Sequence, residues 1–218
     1  MAIEIICCPT GPLSTNTYIV YDGSAEPEGG KRPCAVVDPA SSRRVLDVLD
    51  RNGLHCTHIL LTHGHFDHIM GVAEIKSREG AEVLIHRDDA DAVSGSGSLA
   101  YMAGALVKKF TVDRLLGDGD VFTAAGMTFR VIHTPGHTPG GVCYVLENER
   151  VIFCGDTLFR LSVGRTDLSG GSDEQLYESI LYRLFPLHGD YRLLPGHDRE
   201  TTLDFEREHN PYMKRGAY

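Results

Sequence analysis

The residues best suited to chemistry are concentrated at positions 62–71, which read Thr-His-Gly-His-Phe-Asp-His-Ile-Met-Gly. His63 and His65 are two residues apart, so an extended backbone projects both imidazoles to the same side. Asp67 and His68 are adjacent, and a chain that turns into a helix at this point directs them elsewhere. Four metal-competent side chains within six residues, divided in this way, predict two metal positions rather than one.

A helix N-terminus with solvent-exposed histidines would explain one or two of these side chains. In that interpretation Asp67 caps a helix that begins at His68. Chance is a poor explanation, however, for three histidines and an aspartate at this spacing in a chain with 11 histidines in total. We therefore interpret His63, His65, Asp67 and His68 as metal ligands, with Asp67 also able to cap the helix.

Three further segments place a ligand-type side chain just beyond the end of a predicted strand. His137 lies between two Pro-Gly turns that fix a tight loop, and His133 could support it through a hydrogen bond. Asp156 follows the apolar run Val151–Cys154, where a carboxylate is either a cap or turn residue or a bridging ligand. His197 follows a short strand through a Pro-Gly pair. Four strand ends that meet at one edge of a sheet sandwich would gather all seven candidates there.

Hydrophobic periodicity predicts the elements that must position these residues. Short apolar or alternating runs predict strands at Ile3–Cys8, Thr17–Tyr21, Cys34–Val37, Ile59–Thr62, Val83–Ile85, Val121–Phe122, Thr128–Ile132, Val142–Leu146, Val151–Cys154 and Arg192–Leu194. Apolar residues at helical spacing predict helices at Ser41–Asn52, His68–Gly80, Ser172–Leu184 and Thr202–His209. Ser94–Ser98 is predicted to be a mobile loop before a helix at Leu99–Val107, which either covers the site or is a plain surface excursion.

Composition excludes several classes of protein. The 218 residues fit a single domain and carry a net charge of −9 without a dense basic tract, which disfavours nucleic acid as a partner. The six cysteines form no Cys-x-x-Cys pair, so buried free thiols are expected. The N-terminus has no signal-peptide pattern, and no apolar run is long enough to span a membrane. We therefore predict a cytoplasmic protein with no membrane partner; the sequence predicts no oligomeric state.

The order His-x-His-x-Asp-His, then His, then Asp, then His resembles the metallo-β-lactamase superfamily over nearly the whole chain. The resemblance implies an α+β fold, a four-layer αβ/βα sandwich with the site at one edge of its two central sheets. It also implies a first metal held by His63, His65 and His137, a second held by Asp67, His68 and His197, and Asp156 bridging the two. Mixed imidazole and carboxylate ligands suit zinc, iron or manganese. We expect two divalent metal ions, with zinc preferred and iron or manganese as alternatives.

Two segments narrow the resemblance to the glyoxalase II branch: Leu158-Phe159 with Gly164–Asp167, and the ending Glu208–Pro211. Within that branch the chain is similar to short bacterial members. Residues 1–218 are therefore predicted to form one hydrolase domain, without the C-terminal helical domain of typical glyoxalase II. The implied reaction is hydrolysis of S-lactoylglutathione, a glutathione conjugate, by attack of a metal-bridging hydroxide. Asp67 is the implied catalytic residue because it can orient that hydroxide from the second metal.

Arg165 is the predicted substrate-binding residue. It aligns with a cationic glutathione contact of the glyoxalase II branch, whereas Asp167 stands where the branch has an aromatic residue. A guanidinium pairs well with a carboxylate, and glutathione presents two of them. In the alternative interpretation Arg165 pairs with Asp167 and only fixes the loop. Arg160 is a weaker candidate for the same role.

Other functions fit parts of the pattern. A mononuclear-iron persulfide dioxygenase has the same ligand types and a similar Gly-Arg-Thr-Asp segment. A lactonase or β-lactamase would share the fold, although nothing in the sequence favours lactone chemistry and a secreted β-lactamase would need an export signal. A non-catalytic binding protein on the same fold is disfavoured by the complete ligand set.

Overall fold

A computed structural model describes residues 2–27, 29–94 and 107–212. Most of the strands in these residues form two six-stranded sheets. The first sheet contains, in spatial order, β1 (Ile3–Thr10), β2 (Thr15–Asp22), β3 (Arg32–Val37), β4 (Leu54–Leu60), β5 (Glu82–His86) and β6 (Arg114–Leu116). A two-stranded hairpin of β11 (Leu158–Phe159) and β12 (Ser162–Val163) belongs to neither large sheet. The second large sheet contains β7 (Val121–Ala124), β8 (Met127–His133), β9 (Val142–Leu146), β10 (Val151–Gly155), β13 (Arg192–Pro195) and β14 (Thr201–Thr202), in the order β14-β13-β10-β9-β8-β7.

The helices of the described residues lie between strands or after the last one. The α-helices are α1 (Ser42–Asn52), α2 (Phe66–Ile69), α3 (Val72–Glu79), α4 (Ala90–Ser94), α5 (Asp173–Ser179) and α6 (Leu203–His209). Short 3₁₀ turns occur at Arg87–Asp89 and Glu147–Glu149, and a π-helical turn at Ile180–Leu184 continues α5. Among these helices none is long and apolar enough to cross a membrane.

Three apolar layers hold the sheets and helices together. The central layer lies between the two sheets and includes Tyr18, Leu60, Phe129, Tyr144 and Phe153. The other face of the first sheet packs against apolar residues of α1 and α3, including Val45, Leu49 and Ile75. The other face of the second sheet packs against Leu176 of α5 and Leu203 of α6. This order of helix, sheet, sheet and helix confirms the predicted four-layer αβ/βα sandwich.

Parallel pairing brings several strand ends to the same edge. In the first sheet β3, β4, β5 and β6 are parallel neighbours, and in the second sheet β10 and β13 are parallel. Neighbouring parallel strands end on the same side of a sheet, and the crevice beyond their carboxyl ends is the usual place for a site. The segments that follow β10 and β13 therefore meet along one edge, and the segment that follows β4 lies against them, since a Cβ on Gly155 would be 2.3 Å from the Thr62 hydroxyl oxygen.

The predicted helix from His68 to Gly80 is wrong in its continuity, because α2 and α3 are separate. The chain breaks at Gly71, whose backbone N–H donates to the carbonyl of Pro39 at 2.7 Å. A Cβ on Gly71 would also lie only 2.7 Å from that oxygen. Close approach of two backbones, which periodicity does not detect, thus divides the helix.

Other boundaries differ by a few residues. The strand predicted at Ile59–Thr62 is β4, which starts earlier and ends at Leu60. The predicted helix Ser172–Leu184 begins as expected, since the Ser172 hydroxyl accepts from the Gln175 backbone N–H, but its last turn is π-helical. The predicted loop Ser94–Ser98 and the predicted helix Leu99–Val107 lie outside the described residues, apart from Ser94 and Val107 themselves. All six cysteines are free, as predicted, and Cys7 alone is exposed.

Candidate metal centre

The seven predicted ligands come together at one edge of the sandwich, each on a segment that leaves a strand. β4 is followed by His63 and His65 and then, in α2, by Asp67 and His68; β8 is followed by His137, β10 by Asp156 and β13 by His197. The convergence of strand ends predicted from the sequence is therefore present. Whether each side chain binds an ion remains a prediction.

The first group consists of His63, His65 and His137, whose ligand atoms all lie within 4.8 Å of one another. All three side chains are buried, yet the Nε2 atom of each has no hydrogen-bond partner. Nδ1 of His63 lies 3.0 Å from the Thr62 hydroxyl oxygen. Nδ1 of His137 donates to the carbonyl oxygen of Arg165 at 2.6 Å. Such contacts fix the rings of metal-binding histidines and leave the opposite nitrogen for the ion.

The second group consists of Asp67, His68 and His197, with ligand atoms again within 4.8 Å of one another. Oδ2 of Asp67 lies 3.5 Å from Nε2 of His68 and 3.2 Å from Nε2 of His197. Asp67 and His68 are buried and His197 is half-buried. One carboxylate and two imidazoles thus face a common point.

Asp156 lies between the two groups. Its Oδ1 is 3.5 Å from Nε2 of His68, in the second group. Its Oδ2 is 3.4 Å from Nε2 of His137, in the first group, and 3.6 Å from Nε2 of His197. One carboxylate therefore faces both ligand groups, which is the position a bridging ligand needs.

The separations in this site fit shared cations better than direct hydrogen bonds. Two ligands held about 2.1 Å from a tetrahedral ion lie about 3.4 Å apart, whereas N–H···O bonds are about 2.9 Å long. The nitrogen–oxygen separations in the site run from 3.2 to 3.6 Å. In the described part of the chain, five of the seven buried side-chain atoms without a hydrogen-bond partner belong to this site: Nε2 of His63, His65, His68 and His137, and Oδ1 of Asp156. Unpaired buried polar atoms are costly and rare, so the residues present fit two metal ions.

Burial keeps the imidazoles of His63 and His65, in the first group, neutral. Burial, together with the nearby rings of His68 and His65, holds the pKa of His63 well below its usual value. Burial and the nearby His137 lower the pKa of His65 to about 3. Neutral imidazole is the form that binds a metal ion. These two residues therefore need to lose no proton to bind one at neutral pH.

In the second group, nearby carboxylates outweigh burial and raise the pKa values of the histidines. Burial alone would lower the pKa of His68, but Asp156 and Asp38 outweigh it and raise that pKa to about 9. Burial also acts to lower the pKa of His197, but the adjacent Asp67 and Asp156 carboxylates outweigh it, so that pKa is raised. Burial would raise the pKa of Asp67, but the adjacent imidazoles of His197 and His68 and the hydrogen bond from Thr15 lower it. The second group is thus electrostatically suited to positive charge, whether protons or a metal ion.

Asp38 supports both ligand groups, and sequence reasoning missed it. Its Oδ1 accepts from the backbone N–H of Thr62 at 2.8 Å, and its Oδ2 accepts from the Thr62 hydroxyl at 2.6 Å. The same Oδ2 accepts from Nδ1 of His68 at 2.9 Å. Asp38 is only 1% exposed. Its position gave a usable signal, because it ends a predicted strand just as the ligand residues do.

Strand β2 fixes the loop that carries His197. The side-chain nitrogen of Asn16 donates to the backbone oxygens of Pro195 at 3.0 Å and Asp198 at 2.7 Å. The Tyr18 hydroxyl donates to the same Pro195 oxygen at 2.8 Å. These contacts join residues about 180 positions apart in sequence, so no local pattern could have indicated them.

The prediction that Asp67 caps a helix is wrong. α2 begins at Phe66 with His65 in the cap position, so Asp67 lies inside its first turn. The Asp67 carboxylate instead accepts a hydrogen bond from the Thr15 hydroxyl at 2.8 Å. Its side chain points into the site, where it can serve as a ligand.

Gly196 is required by the close packing of the site. A Cβ at this position would lie 2.2 Å from Oδ1 of Asp156 and 2.7 Å from Cε1 of His68. We expect Gly196→Ala to displace both ligands and to weaken metal binding by about tenfold or more, as loss of ligand orientation does. Metal affinity by chelator competition, with far-UV circular dichroism as the check on folding, measures the effect. Unchanged affinity in a folded variant would show that these two side chains do not hold metal.

A cavity of about 590 Å³ opens onto the ligands. Besides the metal ligands it is lined by Leu13, Phe66, Phe159, Arg165 and Leu168. Arg165 therefore lines the cavity, and its role in substrate binding stays a prediction.

The contacts of Arg165 match the alternative interpretation of this residue. Nε and a terminal nitrogen of Arg165 donate to the two carboxylate oxygens of Asp167, each at 2.7 Å. The side chains of this pair are 61% and 68% exposed, so solvent screens the attraction and a substrate carboxylate can compete for the guanidinium. Arg160, the weaker candidate, does not line this cavity, and its guanidinium lies 4.1 Å from the centre of the Phe205 ring.

The side chain of His133 hydrogen-bonds to the backbone near His137 rather than to the His137 imidazole. Its Nε2 donates to the carbonyl of Pro139 at 2.9 Å, and its ring stacks on His86 with centroids 4.1 Å apart. It thus supports the loop around His137 rather than the imidazole itself, since Nδ1 of His137 bonds to the backbone of Arg165.

Comparison with known proteins agrees with this geometry. The sequence profile of the Metallo-beta-lactamase superfamily matches residues 10–197, and the chain belongs to this superfamily. It is 36% identical over 216 residues to an uncharacterized protein of Mycobacterium leprae, which covers 94% of this chain and 96% of that protein. It is 30% identical over 217 residues to the hydroxyacylglutathione hydrolase GloC of Haemophilus influenzae, with 98% of each chain covered. The resemblance predicted from the ligand order is thereby confirmed.

Solved structures show the same fold. The BLEG-1 B3 metallo-beta-lactamase superposes with a TM-score of 0.88 at 33% identity, covering 96% of this chain and 99% of that one. The protein TTHA1623 in a di-iron-bound form has a TM-score of 0.82 at 35% identity, with 95% and 99% covered. ETHE1 from Myxococcus xanthus has a TM-score of 0.76 at 27% identity, with 95% and 83% covered. Because a neighbour holds iron, zinc in this chain stays a prediction.

Proposed function

We propose that this superfamily hydrolase cleaves a glutathione thioester of the S-lactoylglutathione type, acting as one domain. The observation that carries the proposal is the meeting of two complete ligand groups, with Asp156 between them, beside a cavity that Arg165 lines. The likeness to GloC over 98% of both chains supports a glutathione-derived substrate.

The proposal assigns His63, His65 and His137 to one ion, Asp67, His68 and His197 to the other, and Asp156 to both. Such ions, when bound, would lower the pKa of a metal-bound water to about 7 and polarise a carbonyl oxygen.

The remaining steps belong to the chain's own side chains. Oδ2 of Asp67 accepts from the Thr15 hydroxyl and faces Nε2 of His68 and of His197, so it can orient a proton of a water that attacks from the second group. The leaving thiolate of a thioester, whose thiol has a pKa of about 8.5, departs without a proton donor. The site therefore needs no additional acid for this reaction.

Substrate binding is assigned to Arg165, whose role predicts a selective loss. Arg165→Ala is expected to raise KM for S-lactoylglutathione several-fold with little change in kcat, because the contact is equal in ground and transition states. Arg165→Lys should recover only part of the loss, since it lacks the forked geometry. Steady-state kinetics on this substrate and on a small neutral thioester measure both effects.

Arg183 provides a control, because it is also an arginine paired with an aspartate, with one terminal nitrogen donating to both carboxylate oxygens of Asp118, and it does not line the cavity. Arg183→Ala should leave KM unchanged. If Arg165→Ala impaired the neutral thioester equally, Arg165 would only fix its loop with Asp167.

β-Lactam hydrolysis is a second candidate, favoured by the similarity to the BLEG-1 B3 metallo-beta-lactamase over nearly the whole of both chains. Zinc- and iron-loaded protein should be assayed side by side for S-lactoylglutathione hydrolysis, chromogenic cephalosporin hydrolysis and oxygen uptake with glutathione persulfide. We expect kcat/KM to be greatest for the thioester by at least tenfold. A greater value for the cephalosporin, or oxygen uptake with the persulfide, would replace the proposed function.

A further inference from the structure

The cavity beside the metal ligands has an apolar wall built from separate segments. Leu13 lies in the turn between β1 and β2, and Phe66 is the first residue of α2. Phe159 ends β11, and Leu168 lies in the segment after β12. The Phe159 ring is 6.2 Å from the His197 ring, so this surface extends up to a candidate metal ligand.

The exposure of this wall indicates that a ligand covers it. Leu13 is 55% exposed, and the other three side chains are only half-buried. Apolar side chains that are scattered singly on a surface need no explanation, but several that line one concave site are typical of ligand binding. The four share a cavity of about 590 Å³, which is within the range of sites that enclose a whole small molecule.

Polar groups other than the ligands are scarce in this cavity. Among the described residues that line it, Arg165 is the one polar side chain outside the ligand set, and the proposed function assigns it to a carboxylate of the glutathione half. A hydroxyl on the acyl group, such as that of lactoyl, meets no dedicated partner there. A site discriminates strongly for a hydroxyl only when its own polar groups bond to it.

We propose that the acyl group of the preferred substrate is apolar and larger than lactoyl, and that the four-residue wall of Leu13, Phe66, Phe159 and Leu168 receives it. This inference rests on the proposed function, which supplies the thioester bond and the glutathione half of the substrate. It adds the chemical class of the other half, a branched, long-chain or aromatic acyl group.

The test compares two thioesters of glutathione that differ only in this feature. S-mandeloylglutathione is S-lactoylglutathione with a phenyl ring in place of the methyl group. We expect kcat/KM to be about tenfold or more greater for the mandeloyl thioester, the usual effect of a filled apolar pocket. The two thioesters differ in intrinsic chemical reactivity, but this difference cancels when the mandeloyl-to-lactoyl ratio of kcat/KM is compared between wild type and variants.

Leu13 is the residue to change, because its exposed position in a turn allows substitution without loss of the core. Leu13→Ser should reduce the mandeloyl-to-lactoyl ratio about fivefold or more, whereas Leu13→Met, which stays apolar, should retain it. Leu115→Ser is the matched control, since Leu115 is also exposed, at 53%, and does not line the cavity. It should leave the ratio unchanged.

The outcomes separate this inference from the proposed function. A lactoyl thioester that is cleaved as well as the mandeloyl one, or a Leu13→Ser variant that slows both equally, would overturn the apolar acyl site and leave thioester hydrolysis standing. Failure of the metal-loaded protein to cleave either thioester would overturn the proposed function together with the acyl site. A lowered ratio in Leu13→Ser alone among the three variants supports the acyl site.

Discussion

Asp67→Asn is expected to lower thioester turnover by two or more orders of magnitude while the fold survives. Oδ2 of Asp67 accepts from Thr15 and lies within 3.5 Å of Nε2 of both His68 and His197. An asparagine keeps the shape but removes the charge, and if its nitrogen takes the Oδ2 position it can no longer accept. A hundredfold loss corresponds to about 2.7 kcal/mol of transition-state stabilisation, which is ordinary for one electrostatic group at a reacting centre.

The measurement is kcat on S-lactoylglutathione at saturating metal, with metal content determined on the same samples. Asp47→Asn is a matched control, because Asp47 is an exposed carboxylate on α1 that neither lines the cavity nor belongs to a ligand group. It should behave as wild type. Near-normal turnover of Asp67→Asn with unchanged metal content would remove Asp67 from the site.

Asp38→Asn is expected to weaken metal binding at the second group ten- to hundredfold, the usual effect of losing a group that orients a ligand. One carboxylate accepts three hydrogen bonds, two from Thr62 and one from Nδ1 of His68. An amide has one accepting oxygen, so in either orientation its NH₂ faces a donor. Because Asp38 is buried, the unpaired donor also lowers the free energy of unfolding by about 1–3 kcal/mol.

Isothermal titration with zinc distinguishes the two groups in Asp38→Asn. The first group lacks a direct bond to Asp38, so its binding step should change less than that of the second group. Two unchanged steps would show that His68 does not depend on Asp38 for its orientation.

The fold and the convergence of the site were predictable because their signals are local. The cluster from His63 to His68 is contiguous in sequence, and His137, Asp156 and His197 each follow an apolar run through a glycine-containing turn. Strand ends with such residues meet wherever strands are parallel neighbours, as β10 and β13 are. Ligand order then identified the family, and the family fixed the four-layer arrangement.

The supporting contacts could not be predicted, because they join distant parts of the chain. Thr15 bonds to Asp67 across 52 positions, and Asn16 bonds to the His197 loop across about 180. The assignment of Asp67 as a helix cap was wrong because α2 begins one residue earlier, at Phe66, and Thr15 of β2 holds the Asp67 carboxylate. Periodicity likewise did not detect the break at Gly71, which a backbone contact with Pro39 imposes.

Thiol release from S-lactoylglutathione, followed while zinc is added in steps to metal-free protein, links the ligand groups to the reaction. Two complete groups that share Asp156 predict that the rate rises until two ions are bound per chain and is constant thereafter. Metal-free protein should release no thiol above the uncatalysed rate. A plateau at one ion per chain, or no thiol release at any zinc content, would contradict a two-metal thioester hydrolase.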